Sequence, residues 1–356
     1  MAMTKSKFIS TDKRNKVTGL TLIEVIITLA IFSIIVAAVS AVLTSTKKGF
    51  TSFEAANTLK KVNQNSLNRI YIRLTECKRI FPYIATESAP NFNSYLSRVT
   101  LTGTPTGCPA MLNGSKIPVI EESSSIAEGT TNFIKASVGN RLFFANSDSS
   151  EILKSIIDSI GLSRTIRIDL YRFYYYYLTS DNLKSIRSKP SYLLIEWQSV
   201  YYADYNQINN INDAILKSNI IKSLSLKNIN YGWNTNVLET NINNAFYKLQ
   251  SNGIMALDSG HKIVKNQHSI LTEMLTGLMG GGYRYGISSN TDLPKKVPQY
   301  ADADSSGNFP GGFEVIVVGS TSGRKVLIRS VLVAEGTMPG IIGDDQLVLC
   351  STRDLW

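Results

Sequence analysis

One stretch limits what this chain can fold into. Residues Leu20 to Leu43 are almost wholly apolar and carry a single carboxylate, Glu24. As a helix, about 24 residues are enough to cross a bilayer core. A charge inside such a run costs roughly 2.5–3.5 kcal/mol on insertion scales, so Glu24 must be paired or used. Ahead of the run lies a basic leader in which Lys5, Lys7, Lys13, Arg14 and Lys16 outweigh Asp12. A secretory signal is cut behind its apolar region and loses it. Here the boundary residue, Gly19, precedes the run, so a cut between Gly19 and Leu20 would keep the helix.

Basic leader, Gly19 at its end, Leu20 as the new terminus, Glu24 fifth after the cut and the apolar helix behind it together resemble the class III signal of type IV pilins and pseudopilins. The resemblance covers residues 1 to about 80. It implies a membrane-embedded prepilin peptidase that cuts after Gly19 and methylates the new α-amine of Leu20. It also implies storage in the cytoplasmic membrane, an inner-membrane assembly platform, and filament growth by bundling of these helices with those of other pilins or pseudopilins. The physics is consistent. Cutting creates an ammonium on Leu20, and Glu24 of a neighbouring subunit can neutralise it in a low-dielectric bundle, setting the register of assembly.

The expected fold is α+β. A long N-terminal helix, membrane-spanning in its first half, packs on a globular head with an antiparallel sheet. The boundaries are a leader at 1–19, a membrane or filament-core helix at 20–43, its amphipathic continuation at 44–81, and a head at 82–356 in which 206–300 is a candidate subdomain. No proline falls between Leu20 and Ile80, and Leu59, Val62, Leu67, Ile70, Leu74 and Cys77 recur at helical spacing. The helix should stop before Pro82, having run about 60 residues or roughly 90 Å.

Past it, the pattern predicts short strands at 117–121, 132–138 and 141–145. A helix is predicted at 149–160, with Asp148 as cap and Gly161 as stop. Strands follow at 164–179 and 191–203, and nine of the seventeen tyrosines lie in this part: Tyr171, Tyr174 to Tyr177, Tyr192, Tyr201, Tyr202 and Tyr205. They fit ordinary sheet packing best. An aromatic surface for glycan or DNA is the alternative. Further expectations are a helix at 209–218, a strand at 222–231, a helix at 269–278 stopped by Gly280 to Gly282, and a hairpin of 313–319 with 324–334.

No catalytic constellation is present in the sequence, and the expectation is that the chain is not an enzyme. Its two histidines, His261 and His268, read as surface or structural residues. Asp302, Asp304, Ser306 and Asn308, with Gly307 between the last two, match the start of a calcium loop, but the closing acid, Glu314, comes one residue late; Ca2+ is the only cofactor implied. Some pseudopilins hold calcium in such C-terminal loops. Three cysteines allow three single bridges, of which Cys77 with Cys108 is preferred over one that ties down Cys350. Net charge is +10, of which the leader supplies +4, so a processed chain is mildly basic and selects no partner by charge. By resemblance the function is that of a minor type IV pilin at or near a filament tip, serving pilus biogenesis, adhesion, motility or DNA uptake. A minor pseudopilin of type II secretion and a tip adhesin for glycan or DNA are the alternatives.

Overall fold

The computed structural model describes residues 21–81, 94–99, 108–121, 138–186, 189–272, 284–288, 311–320, 323–335 and 341–352. The chain divides into two units, Met1–Ser52 and Phe53–Trp356. One helix, α1 (Leu22–Thr75), contributes to both. In the first unit it is apolar and exposed; Leu22, Ile26, Leu29, Phe32, Ile34 and Leu43 each leave more than half their surface open. In the second it buries one stripe, Ala55, Leu59, Asn63, Ser66, Leu67, Ile70 and Leu74, as its spacing predicts.

The second unit is built on one sheet. Its strands are β1 (Cys77–Ile80), β2 (Ile120–Glu121), β3 (Leu142–Ile157), β4 (Ser163–Ile186), β5 (Lys189–Ser199), β6 (Tyr202–Asp204), β7 (Tyr231–Trp233), β8 (Phe246–Leu249), β9 (Met255–Leu257), β10 (Lys265–Ile270), β11 (Arg284–Ser288), β12 (Phe313–Val318), β13 (Arg324–Glu335) and β14 (Ile341–Thr352). Pairing is antiparallel except for β12 with β2 and β6 with β7. The fold is α+β. Alternation along β3, β4 and β5 separates two cores. Phe144, Tyr174, Tyr176 and Leu194 join the α1 stripe on one face, while Phe143, Phe173, Tyr175, Tyr177 and Trp197 build an aromatic core on the other. Two helices, α2 (Tyr205–Asn209) and α3 (Ala214–Leu226), enclose a third cluster with β3, β4 and β8.

Several sequence expectations are corrected. Helix α1 does end before Pro82, but at Thr75, short of the expected 81, because Cys77 to Ile80 pair with β3 and bury Cys77, Ile80 and Phe81. Residues 149–160 are not a helix; they form the outer part of β3 and the turn after it. Ile152, Ile156, Ile157 and Ile160 have helical spacing in the sequence, but only Ile156 is buried; a bulge between Leu153 and Ile156, where Ser155 has φ of 60°, interrupts the alternation of the strand. The supposed stop, Gly161 (φ 81°), serves the turn that joins β3 to β4. The helix expected at 209–218 is two, each started by an aspartate: Asp204 caps α2 and Asp213 caps α3. Helix α3 therefore takes up the start of the strand expected at 222–231, of which only Tyr231 is in a strand, β7. Ser269 and Ile270, expected in a helix, end β10 opposite Glu196 and Ile195 of β5; residues 273–283 lie outside the described part. The hairpin of β12 and β13 is as expected; the strand expected at 164–179 runs on to Ile186, and the one expected at 191–203 is two, β5 and β6.

Candidate functional site

At the start of α1 the sequence Thr21-Leu22-Ile23-Glu24 closes on itself. The Thr21 N–H donates to Glu24 Oε2 at 2.8 Å, the Thr21 hydroxyl donates to the same oxygen at 2.9 Å, and the Glu24 N–H donates to Thr21 Oγ1 at 3.4 Å. This is a capping box. It satisfies two of the N–H groups that a helix start leaves open and places a negative charge at the positive end of the helix dipole. Among the described residues, Glu24 Oε1 receives no hydrogen bond. Sequence reasoning singled out Glu24 and missed Thr21, although a threonine three residues ahead of a glutamate before an apolar run is a recognisable signal. Between Leu22 and Thr44, Thr28, Ser33 and Thr44 turn their hydroxyls back to carbonyls four residues earlier, so the exposed surface of that run offers almost only hydrocarbon. Among the described helices, α1 alone has a stretch long and apolar enough to cross a membrane. Gly19 and Leu20 lie outside the described residues.

In the second unit, two arginines of α1 reach polar groups set into the helix-side core. Arg69 Nη2 and Nε bond Glu196 at 2.5 and 3.0 Å, and Tyr176 donates its hydroxyl to the same carboxylate at 2.7 Å. Gln198 also donates to Glu196. Burial drives the Tyr176 phenol well above its ordinary pKa, and the Glu196 charge adds to the effect. One turn on, Arg73 bonds Asp148 at 2.7 Å, where Tyr174 (2.7 Å) and Tyr201 (3.1 Å) donate as well. Arg172 lies 3.4 Å from Asp148 and stacks over Tyr201. Asp148, expected as a helix cap, is thus the acceptor centre of a helix-to-sheet joint. Farther back along α1, Asn63 donates to Ser330 O at 3.0 Å and Asp344 Oδ2 at 2.9 Å.

The other sequence candidates fall as follows. Tyr171, Tyr174 to Tyr177 and Tyr202 are at most 4% exposed, so they form core and offer no stacking surface to a glycan or base. Cys77 and Cys108 are not bridged: Cys77 belongs to the helix-side core, whereas Cys108 packs against the aromatic core on the opposite face of the sheet. Cys350, on β14, is buried, which pushes its thiol up to about 11. His261 is buried; its Nδ1 meets Asp258 at 3.0 Å and its Nε2 meets the Tyr202 hydroxyl at 3.0 Å, which also accepts from Val264 N–H. That chain ties the 258–264 loop to β6. Asp302, Asp304, Ser306 and Asn308 lie outside the described residues. Among the described residues, no three His, Cys, Asp or Glu side chains gather to hold a metal.

The prokaryotic N-terminal methylation motif matches residues 14–40, spanning Gly19, Leu20 and Glu24. The N-terminal segment is type IV pilin-like. It carries the prepilin-type terminus that a prepilin peptidase processes and that joins pilins to one another. No curated protein and no solved structure matches the chain.

Proposed function

We propose that this pilin-like chain is a minor type IV pilin, cut between Gly19 and Leu20, held by one membrane span with its head outside the cytoplasm, and incorporated at or near the filament tip. One observation carries the reading. An apolar, exposed helix begins with a carboxylate fixed by Thr21, and among the described residues nothing bonds its second oxygen. An ammonium on Leu20, of the same or an adjacent subunit, is the natural occupant of that oxygen. A head that takes up most of the chain would crowd a helical array, which favours a minor over a major subunit. No catalysis is assigned to the head.

The test is the ratio of protein in sheared filaments to protein in the membrane. Wild type should appear in both. Glu24→Ala should be inserted and cut normally, yet fall at least about tenfold in filaments, because an unpaired ammonium is left in a dry bundle. Equal incorporation of the variant would remove Glu24 as the registration device. Wild type that reaches only a secretion pseudopilus would transfer the chain to the pseudopilin reading.

A further inference from the structure

Among the described residues, strand β14 forms an edge of the sheet. It pairs along all twelve residues with β13, without a break in register, and among the described residues nothing pairs with its other side. Natural sheets guard such edges with lysine, proline, bulges or short strands. Here the segment from Gln346 to Thr352 reads Gln-Leu-Val-Leu-Cys-Ser-Thr, with no charge, proline or glycine. Cys350 and Val348 turn to the helix-side core. Leu347 and Leu349 face the other way and are 51% and 42% exposed. At the near end, Asn63 bonds Asp344, and no cation pairs with that carboxylate among the described residues.

We propose that residues 346–352 of β14 accept an extended strand from a different polypeptide of the filament. The edge itself specifies the occupant's chemistry. A row of backbone N–H and C=O groups is satisfied only by another extended backbone, whose alternate side chains must be apolar to cover Leu347 and Leu349. A basic residue near its end would face Asp344. A second copy of this chain fits less well. Antiparallel pairing of two β14 edges places a two-fold axis along the sheet normal, which reverses every direction within the sheet. The buried stripe from Ala55 to Leu74 shows that α1 lies along that face. Two copies would therefore point their Phe53 ends in opposite directions, which two chains anchored in one membrane cannot do.

The proposal rests on the chain being a filament subunit, and its test separates the two. Amide exchange is measured on full-length processed protein, first solubilised singly in detergent and then in purified filaments. Every second amide of 346–352 should slow at least about a hundredfold in filaments only, as new ladder bonds form. The double variant Leu347→Lys, Leu349→Lys should melt like wild type as a single subunit and fall about tenfold in filaments, while Leu226→Lys, at an 84% exposed position on α3, should change neither. Unchanged exchange in filaments, or normal incorporation of the double variant, overturns the proposal. So does a disulfide between two copies formed by Gln346→Cys with Cys350, which would make the occupant a second copy. Absence of wild-type protein from filaments would instead overturn the filament reading itself.

Discussion

Helix α1 is one continuous element written in two styles. Between Thr21 and Ser52 its large apolar side chains point in every direction and none is covered within the subunit. Between Phe53 and Thr75 it has a single apolar stripe interrupted by Asn63 and Ser66, and its charged residues Arg69 and Arg73 end on carboxylates of the sheet. The first style, up to Leu43, suits surroundings without water, where hydrocarbon is matched all round and the one charge of that run must be handled at the helix start; Lys47 and Lys48 lie beyond it. The second suits a surface that presents both apolar side chains and fixed acceptors. The stretch that recurs in other proteins is the first, because lipid and neighbouring helices impose the same demands on every subunit. The second answers only to its own sheet.

The largest expected effect would break this comparison at its root. Gly19→Val should abolish leader removal, so that terminal sequencing of membrane protein gives Met1 where wild type gives Leu20; a variant cut as wild type would mean that the boundary glycine is not read. Next comes Glu196→Ala in the head. Its carboxylate is fully buried and receives Arg69, Tyr176 and Gln198, so removal should cost about 3–5 kcal/mol in a denaturant titration. Arg69→Ala should cost at least as much, since it leaves the fully buried Glu196 carboxylate without its cation, whereas the Arg69 side chain is 43% exposed and can be solvated when its partner is removed. A much smaller loss for Arg69→Ala would mean that Tyr176 and Gln198 alone hold the buried carboxylate.

A matched pair within α1 sharpens the contrast. Leu59 is fully buried and Leu29 is 59% exposed. Leu59→Ala should lose about 2–5 kcal/mol of head stability. Leu29→Ala should stay within about 0.5 kcal/mol in the same measurement. A comparable loss at Leu29 would show that the first unit is covered within the subunit after all.

Legibility in the sequence follows the same division. The terminal signal could be read because its parts are local: a charge step, one glycine, one glutamate and a run of hydrocarbon. The β12–β13 hairpin and the long β4 strand were also visible, since alternation or continuous β-branched and aromatic residues carried them. Residues 149–160 misled because Ile152, Ile156, Ile157 and Ile160 fall at helical spacing although only Ile156 is buried. The joint around Asp148 and Glu196 could not be read, because it unites α1, β3, β4 and β5, and its members are separated by 75 to 127 residues from the arginines they bind. Charges that meet only through tertiary folding leave no local pattern.

The smallest effect separates the two units by pH. Both histidines of the chain, His261 and His268, lie in the second unit, so a response between pH 7 and 5 belongs to the head. Burial lowers the His261 pKa, against the pull of Asp258 and with help from Arg98; burial and Lys265 lower that of His268. In the unfolded chain a histidine titrates near pH 6.5. On acidification the unfolded state therefore takes up protons first, and stability is complete above about pH 6.5 and declines as the pH falls through the lower, folded values. Geometry gives the same sign at His261. A proton on Nε2 would face the Tyr202 hydroxyl, which already accepts the Val264 N–H, inside a surround formed by Tyr231 and Phe246. His261→Phe keeps the ring packing and removes the titration. It should be less stable than wild type at pH 7, for want of the Asp258 and Tyr202 bonds, yet lose less between pH 7 and 5, retaining only the part due to His268. Denaturant titrations at several pH values measure both quantities, and parallel curves for wild type and variant would mean that His261 carries no share of the acid response.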